Sequence, residues 1–171
     1  MSRALVVIDI QNDYFEGGRL PLFQAAEVEI RIVAAIAAAR RNGDRVILVQ
    51  HVSTASGGLF DPAGAGVGIR PAILEAAGEA PVAIKHVADA FQDTDLSTYL
   101  EGIRTLLVCG MMTQNCVVFT ALSRAADGFE VRVVGDLCTA PIEPVHRIAL
   151  NALSSKLTVS TAAQEWADFP S

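Results

Sequence analysis

The sequence has few charged residues and no long apolar run. Only 19% of its 171 residues are Asp, Glu, Lys or Arg, whereas 51% are apolar types. The longest uninterrupted apolar run is residues 32–39, and a membrane-spanning helix needs about 20 such residues. Asp9 also interrupts the first apolar stretch, so we expect no secretory signal peptide. We therefore predict a protein that does not associate with membranes.

Basic segments and paired cysteines are missing as well. The 13 Lys and Arg residues are outnumbered by 19 Asp and Glu, which gives a formal net charge of −6. No basic run is interleaved with aromatic residues, and this argues against nucleic acid as a partner. The three cysteines form no CxxC pair, so they do not make a disulfide framework. We expect free thiols in a reducing compartment, the cytoplasm.

What the sequence does contain is an alternation of short β-branched runs with helical patterns. Most of the strand candidates are continuous apolar runs, which are typical of strands buried on both faces of a parallel sheet. The six candidates are residues 4–9, 46–51, 82–85, 105–110, 131–135 and 157–160. The alternation predicts an α/β fold, a single three-layer α/β/α domain over residues 1–171 with a doubly wound, mostly parallel six-stranded sheet.

Helices are predicted between these strands. The spacing of Val28, Ile32 and Ile36 places them on one helical face. Further helices are predicted in the segment capped by Thr94, over residues 113–126 with Thr113 as its cap, and from Pro144 to about residue 153. Residues 53–68 are rich in Gly, Ser and Ala and are predicted to form a long loop, a candidate lid. Gly135 and Asp136 are expected to make the turn after the fifth strand.

Candidate reactive residues stand at the ends of three strands. In such folds ligands bind beyond the carboxyl ends of the strands, where the sequence has Asp9, Lys85 and, after Gly110, Cys116. A carboxylate leaving an apolar strand is partly desolvated, which raises its pKa and suits a proton acceptor. The N-terminus of a helix favours the thiolate form of a cysteine. Taken singly, the first two could be ordinary strand ends, and Cys116 could be a small buried residue.

Taken in order, these segments resemble the isochorismatase-like cysteine hydrolases, a superfamily that includes nicotinamidases, N-carbamoylsarcosine amidohydrolases and isochorismatases. The resemblance runs from residue 4 to about residue 163. It rests on Val-Val-Ile-Asp-Ile-Gln-Asn-Asp-Tyr-Phe at 6–15, on Lys85 with Asp89-Ala90-Phe91 and Thr94 after it, and on residues 110–118 with Thr120 and Ala121. It implies the Rossmann-like fold of that superfamily.

The resemblance also implies a hydrolase with an Asp-Lys-Cys triad. Asp9 would take the thiol proton, and Lys85 would hold the ion pair between Asp9 and the thiolate. Cys116 would attack a carbonyl carbon to give a thioester that water resolves. The backbone N–H groups of Met112 and Cys116 would form the oxyanion hole, and the Met111–Met112 peptide bond would be cis.

The metal-binding residues of nicotinamidases are missing. The second strand ends with His51, Val49 stands at the family's aspartate position, and no histidine follows in residues 53–68. We therefore predict neither a metal nor another cofactor, and place the sequence in the metal-free amidohydrolase branch. Phe15, His51 and Phe91 are candidate pocket residues, although a core or strand-end position explains each of them equally well.

Cys116 favours hydrolysis of a small amide, imide or carbamoyl C–N bond. The alternatives are an isochorismatase-type vinyl-ether hydrolase, which needs no thiol, and a non-catalytic binding protein on the same fold. A nucleotide-binding protein is disfavoured because no GxGxxG or GxxxxGK follows the first strand. The expected partner is a small-molecule substrate. The apolar excess and the common dimers and tetramers of the family predict a homodimer or homotetramer.

Overall fold

The computed structural model describes residues 2–170 and is built around one parallel sheet. Its strands are β1 (Arg3–Ile8), β2 (Arg45–His51), β3 (Val82–Lys85), β4 (Thr105–Met111), β5 (Glu130–Thr139) and β6 (Thr158–Ser160). They lie in the order β3-β2-β1-β4-β5-β6, and every neighbouring pair is parallel. The chain thus winds outward from β1 and then from β4, and the predicted α/β class with a doubly wound six-stranded sheet is confirmed.

Helices connect the strands and pack on the sheet. They are α1 (Ala25–Arg41), α2 (Pro71–Ala77), α3 (Leu96–Tyr99), α4 (Val118–Ala121), α5 (Glu143–Ser154) and α6 (Ala162–Glu165). Helix α1 packs on β1, β2 and β5, and its Ala35, Ala38 and Ala39 are fully buried. Much of the alanine-rich apolar content therefore lies in helix faces against the sheet. Among residues 2–170, no helix combines the length and apolar character needed to cross a bilayer.

The prediction of one continuous helix over residues 113–126 is wrong. The segment forms a π-helical turn at Thr113–Val117, then α4, then a separate 3-10 turn at Arg124–Ala126. The Ser123 side chain accepts a hydrogen bond from the Ala125 N–H, which starts the new turn. Thr113 does not cap its turn, because its hydroxyl lies 2.8 Å from His146 Nδ1 instead.

The turn predicted at Gly135 and Asp136 is also wrong, since β5 continues through both residues to Thr139. The pairing of β4 with β5 shifts register here, so the strand absorbs an irregularity without ending. The Asp136 carboxylate is paired with Arg31 of α1 and accepts the Ala162 N–H. Asp136, although its residue type is common in turns, thus forms its polar contacts with residues that are distant in sequence.

Gly110 marks a close approach of β4 to β1. Its φ is 121°, and a Cβ at this position would lie 2.1 Å from the carbonyl oxygen of Ile8. Ile8 is its register partner on β1. Since the backbone of Ile8 leaves no space for a Cβ, only glycine fits. This contact holds the end of β4, and the turn that carries Cys116, against the residue that follows β1, Asp9.

We predict that Gly110→Ala lowers the free energy of unfolding by about 3 kcal/mol or more, because the methyl group must displace backbone and adopt an unfavourable φ. Urea unfolding followed by circular dichroism measures this. Gly128→Ala is the matched control, since a Cβ there meets no atom within 4 Å. We expect the control to stay within about 0.5 kcal/mol of the parent protein. Equal stability of the two variants would contradict the close approach.

Candidate active site

Three strand ends bring the predicted triad together. Lys85 Nζ lies 2.8 Å from Asp9 Oδ2 and 3.2 Å from Cys116 Sγ. The side chains of Asp9 and Lys85 have no exposed surface, and Cys116 is 1% exposed. Because β2 separates β3 from β1, Lys85 spans the end of one strand to reach Asp9. The structure therefore places all three predicted catalytic side chains in one buried group.

The backbone at Asp9 turns sharply out of β1. Its φ of 54° is in the left-handed region, which Asp tolerates better than most residues. The Asp9 N–H still donates to the Val49 carbonyl at 3.0 Å, so the residue remains attached to β2. This turn is what directs the carboxylate inward at the edge of the sheet.

Gln11 fixes the neighbouring end of β2. Its side-chain amide donates to the carbonyl oxygens of His51 at 2.8 Å and Val67 at 2.7 Å, and its Oε1 accepts the His51 N–H at 2.8 Å. Both backbone groups of His51 are thereby held by one side chain. Sequence reasoning did not single out this positioning role, although Gln11 lies inside the segment that carried the resemblance.

Burial has the largest effect on the pKa values of Asp9 and Cys116. It raises the pKa of the Asp9 carboxyl, and the Lys85 ammonium opposes that rise. Burial also raises the pKa of the Cys116 thiol to about 12; the Asp9 charge raises it further and Lys85 opposes. At neutral pH the thiol is therefore protonated until a base in contact removes the proton. The expected effect of the helix N-terminus on Cys116 is outweighed by burial.

His51 completes the group at the end of β2. Its Nδ1 lies 3.0 Å from Lys85 Nζ and 4.0 Å from Asp9 Oδ2. One ligand atom each from Asp9, His51 and Cys116 lie within 4.8 Å of one another, a set that could in principle hold a metal ion. However, the Lys85 ammonium is within 3.2 Å of all three residues. The place where they would share a cation is filled by the lysine, so this donor set does not fit a metal.

The backbone before Cys116 offers a free donor. The Met111–Met112 peptide bond is cis. The Met112 carbonyl accepts the N–H groups of Asn115 and Val117, whereas the Met112 N–H has no hydrogen-bond partner among residues 2–170. Cys116 itself lies in the π-helical turn. An unpaired N–H close in sequence to the thiol is what an oxyanion hole requires.

The other two predicted pocket residues are packed elsewhere. Phe15 is buried with the Arg70 guanidinium 4.3 Å from its ring centroid. Phe91 is buried and stacks on Phe129, with 6.4 Å between the ring centroids. These contacts are consistent with core packing. His51 is in contact with the predicted triad through Lys85.

A residue of the 53–68 loop packs on His51. The ring of Phe60 lies 5.4 Å from the His51 ring and 4.9 Å from the Tyr14 ring. The Phe60 N–H donates to Asp13 Oδ2 at 2.7 Å, and its carbonyl accepts the Ser53 N–H at 2.9 Å. The loop is thus anchored at its centre. Phe60 could have been found from sequence, since it is the one aromatic residue in this segment.

Comparison with known proteins agrees with these motifs. The isochorismatase domain model matches residues 3–165. The uncharacterized isochorismatase family protein YddQ of Bacillus subtilis is 34% identical over an alignment of 167 positions, which covers 90% of this chain and 92% of YddQ.

Two solved structures extend the likeness to the fold. An isochorismatase from Pseudomonas putida has a TM-score of 0.83 and 29% identity, covering 95% of this chain and 89% of the other. N-carbamoylsarcosine amidase from Thermoplasma acidophilum has a TM-score of 0.81 and 26% identity, covering 95% and 97%.

We predict that Asp13→Ala loosens the 53–68 loop, because the buried N–H of Phe60 loses its acceptor. Leaving such a group unpaired costs about 1–3 kcal/mol. Limited proteolysis followed by mass spectrometry should show faster cleavage within residues 53–68. Asp127→Ala, an exposed aspartate outside the loop, is the control and should be cleaved as slowly as the parent protein. Equal cleavage of both variants would show that Asp13 does not anchor the loop.

Proposed function

This chain belongs to the isochorismatase family, and on that premise we propose that it is a cysteine-dependent hydrolase of a small amide, imide or carbamoyl C–N bond. The observation that carries the proposal is the buried contact of Lys85 with both Asp9 and Cys116. The likeness to an N-carbamoylsarcosine amidase supports C–N bonds as the target. The presence of a thiol beside a base favours this chemistry over vinyl-ether cleavage.

The reaction begins with proton transfer within the buried group. Asp9 takes the proton of Cys116, and the thiolate attacks the carbonyl carbon of the substrate. The new S–C bond forms as the carbonyl π electrons move to oxygen. The tetrahedral intermediate then expels the amine, which takes the proton held by Asp9. Water, deprotonated by Asp9, attacks the resulting thioester and releases the acid and the thiol.

Lys85 makes the first step feasible in a buried site. Before the transfer the ammonium faces an Asp9 carboxylate, and after it the ammonium faces a Cys116 thiolate. The proton transfer therefore moves a negative charge between two atoms that Lys85 already contacts, and creates no new charge in the interior. The raised pKa of Asp9 adds to this, since a stronger base withdraws a proton more readily from a thiol whose pKa is also raised.

The Met112 N–H supplies the second requirement, a donor for the oxygen that becomes negative. It has no partner within residues 2–170, so it can bind that oxygen without first breaking a hydrogen bond. We assign the second donor to the N–H of Cys116, which moves with the nucleophile. Both donors belong to the backbone, so side-chain substitution does not remove them.

Cys116 should be alkylated by iodoacetamide faster than Cys109 or Cys138. All three thiols are buried, but only Cys116 has a base in reach. Asp9→Asn should slow the labelling of Cys116 by about 100-fold, the scale of a lost general base. The rate should rise as the pH rises through the raised pKa of Asp9, since only the carboxylate accepts the proton. Peptide mass spectrometry measures each site, and equal slow labelling of all three thiols would contradict the mechanism.

Ammonia release over a panel of primary amides and carbamoyl compounds tests the activity itself. We expect Cys116→Ala to reduce turnover at least about 1,000-fold, because the covalent step is lost. Cys138→Ala is the matched control, since its buried thiol donates to the Val134 carbonyl and is not one of the three proposed catalytic groups, and it should retain activity. Turnover that survives Cys116→Ala would rule out the thiol mechanism. Survival of vinyl-ether cleavage in that variant would support the alternative hydrolase.

A further inference from the structure

His51 is the member of the polar group that the surroundings can reach. Its side chain is 21% exposed, whereas those of Asp9 and Lys85 are fully buried and Cys116 is nearly so. A small molecule can therefore contact the imidazole from solvent. The state of that ring decides what such a molecule encounters.

The contact with Lys85 determines which ring nitrogen carries a proton. Lys85 Nζ lies 3.0 Å from His51 Nδ1, a hydrogen-bond distance. An ammonium has three protons and no lone pair, so it can only donate. Nδ1 must therefore accept. The imidazole is neutral, and its one proton is on Nε2.

The surroundings keep the ring in that state. Burial lowers the pKa of His51 to about 4, and the positive charge of Lys85 acts in the same direction. The other polar neighbours of the ammonium are Asp9 Oδ2 at 2.8 Å, the Val87 carbonyl at 3.1 Å and Cys116 Sγ at 3.2 Å. The Val87 carbonyl and Cys116 Sγ accept two of its three N–H groups, and Asp9 Oδ2 is paired with it by charge without a hydrogen bond, so the third N–H is left for Nδ1.

The opposite nitrogen is a donor without a side-chain partner. Nε2 forms no side-chain hydrogen bond among residues 2–170, and the polar side-chain contacts of the ring, to Lys85 and Asp9, are made by Nδ1. Gln11 fixes the His51 backbone, and the Phe60 ring lies against the imidazole at a tilt of 37°. The result is a rigid N–H donor, pointing away from Lys85, beside the nucleophile.

We propose that His51 binds the substrate through its Nε2–H, which donates to a neutral carbonyl oxygen other than the one under attack. The substrate class is then a small uncharged compound with two carbonyl oxygens, such as an imide, a diamide or an acylated carbamoyl compound. A neutral imidazole beside an Asp9–Lys85 pair of zero net charge offers no excess positive charge for a carboxylate. The assignment rests on the proposed function for the scissile bond.

Two substitutions of His51 distinguish a role in substrate binding from a purely structural role. In His51→Asn the side-chain oxygen can occupy the Nδ1 position and keep the contact with Lys85, but no donor reaches the Nε2 position. In His51→Gln the amide nitrogen can reach the Nε2 position and restore the donor. A purely structural role predicts that Asn preserves function, and the binding role predicts that Gln does. His86→Gln is the control on the neighbouring strand end.

Malonamide, a neutral diamide, and pentanamide, a monoamide of the same number of non-hydrogen atoms, are the probes. Each is tested for protection of Cys116 against methyl iodide, which has no oxygen to bind His51. We expect malonamide to protect the parent protein, His51→Gln and His86→Gln at similar concentrations, and to protect His51→Asn about tenfold less well, the effect of one lost hydrogen bond. Pentanamide should protect all four proteins equally weakly.

Nitrogen NMR of protein labelled at its three histidines reads the tautomer directly. We expect a neutral His51 with the proton on Nε2 between pH 5 and 8, and a shift of the Nε2 signal on addition of malonamide. A proton on Nδ1, a charged ring in this range, no protection by malonamide, or equal protection of His51→Asn would overturn the assignment. Unchanged methyl iodide labelling of Cys116 in the His51 variants distinguishes these results from a failure of the thiol mechanism.

Discussion

The buried ion pair of Asp9 and Lys85 is the constraint on which the rest of the site depends. Both groups lose their water on folding, and an isolated buried charge costs several kcal/mol. Asp9 receives little compensation beyond the lysine, since its Oδ1 has no hydrogen-bond partner among residues 2–170. Neither residue can therefore be accommodated without the other. The carboxylate that results is poorly solvated, which is the condition for a strong base.

The fold brings together two residues that are far apart in sequence, because both stand at one edge of the sheet, at the carboxyl ends of parallel strands. Asp9 follows the central strand β1, and Lys85 comes from β3, two positions away in the sheet. The end of β2 lies between them, so any side chain there becomes part of the group. His51 fills that position, and Gln11 holds it by both backbone groups. On the other side, the close approach at Gly110 brings the turn with Cys116 to the same edge.

The fold class was predictable because its signals are local, whereas the grouping of Asp9, Lys85 and Cys116 followed from the family resemblance of their three segments. Continuous apolar runs indicate buried parallel strands, and a charged residue that ends such a run stands out in a sequence with few charges. What the sequence did not reveal depends on distant contacts. Asp136 resembles a turn residue until its pairing with Arg31 is known, and the Asp13–Phe60 hydrogen bond joins segments 47 residues apart. The predicted helix is interrupted at Ser123, because the Ser123 side chain accepts the Ala125 N–H in place of a helical carbonyl. The hydrophobic periodicity of the sequence does not reveal this competition.

The proposed roles of the four side chains follow their access to solvent: Asp9, Lys85 and Cys116 are buried, whereas His51 is partly exposed. In the proposed mechanism Asp9 and Cys116 exchange one proton beside the Lys85 ammonium, so the chemistry proceeds without a change in net charge. Burial lowers the pKa of the partly exposed His51, and that same ammonium acts in the same direction. Lys85 thus acts in two directions: it stabilises the negative charge on Asp9 or Cys116, and it orients the imidazole as a donor. Under the proposed binding role of His51, such a site favours uncharged substrates, because the charges of Asp9 and Lys85 at its centre already balance.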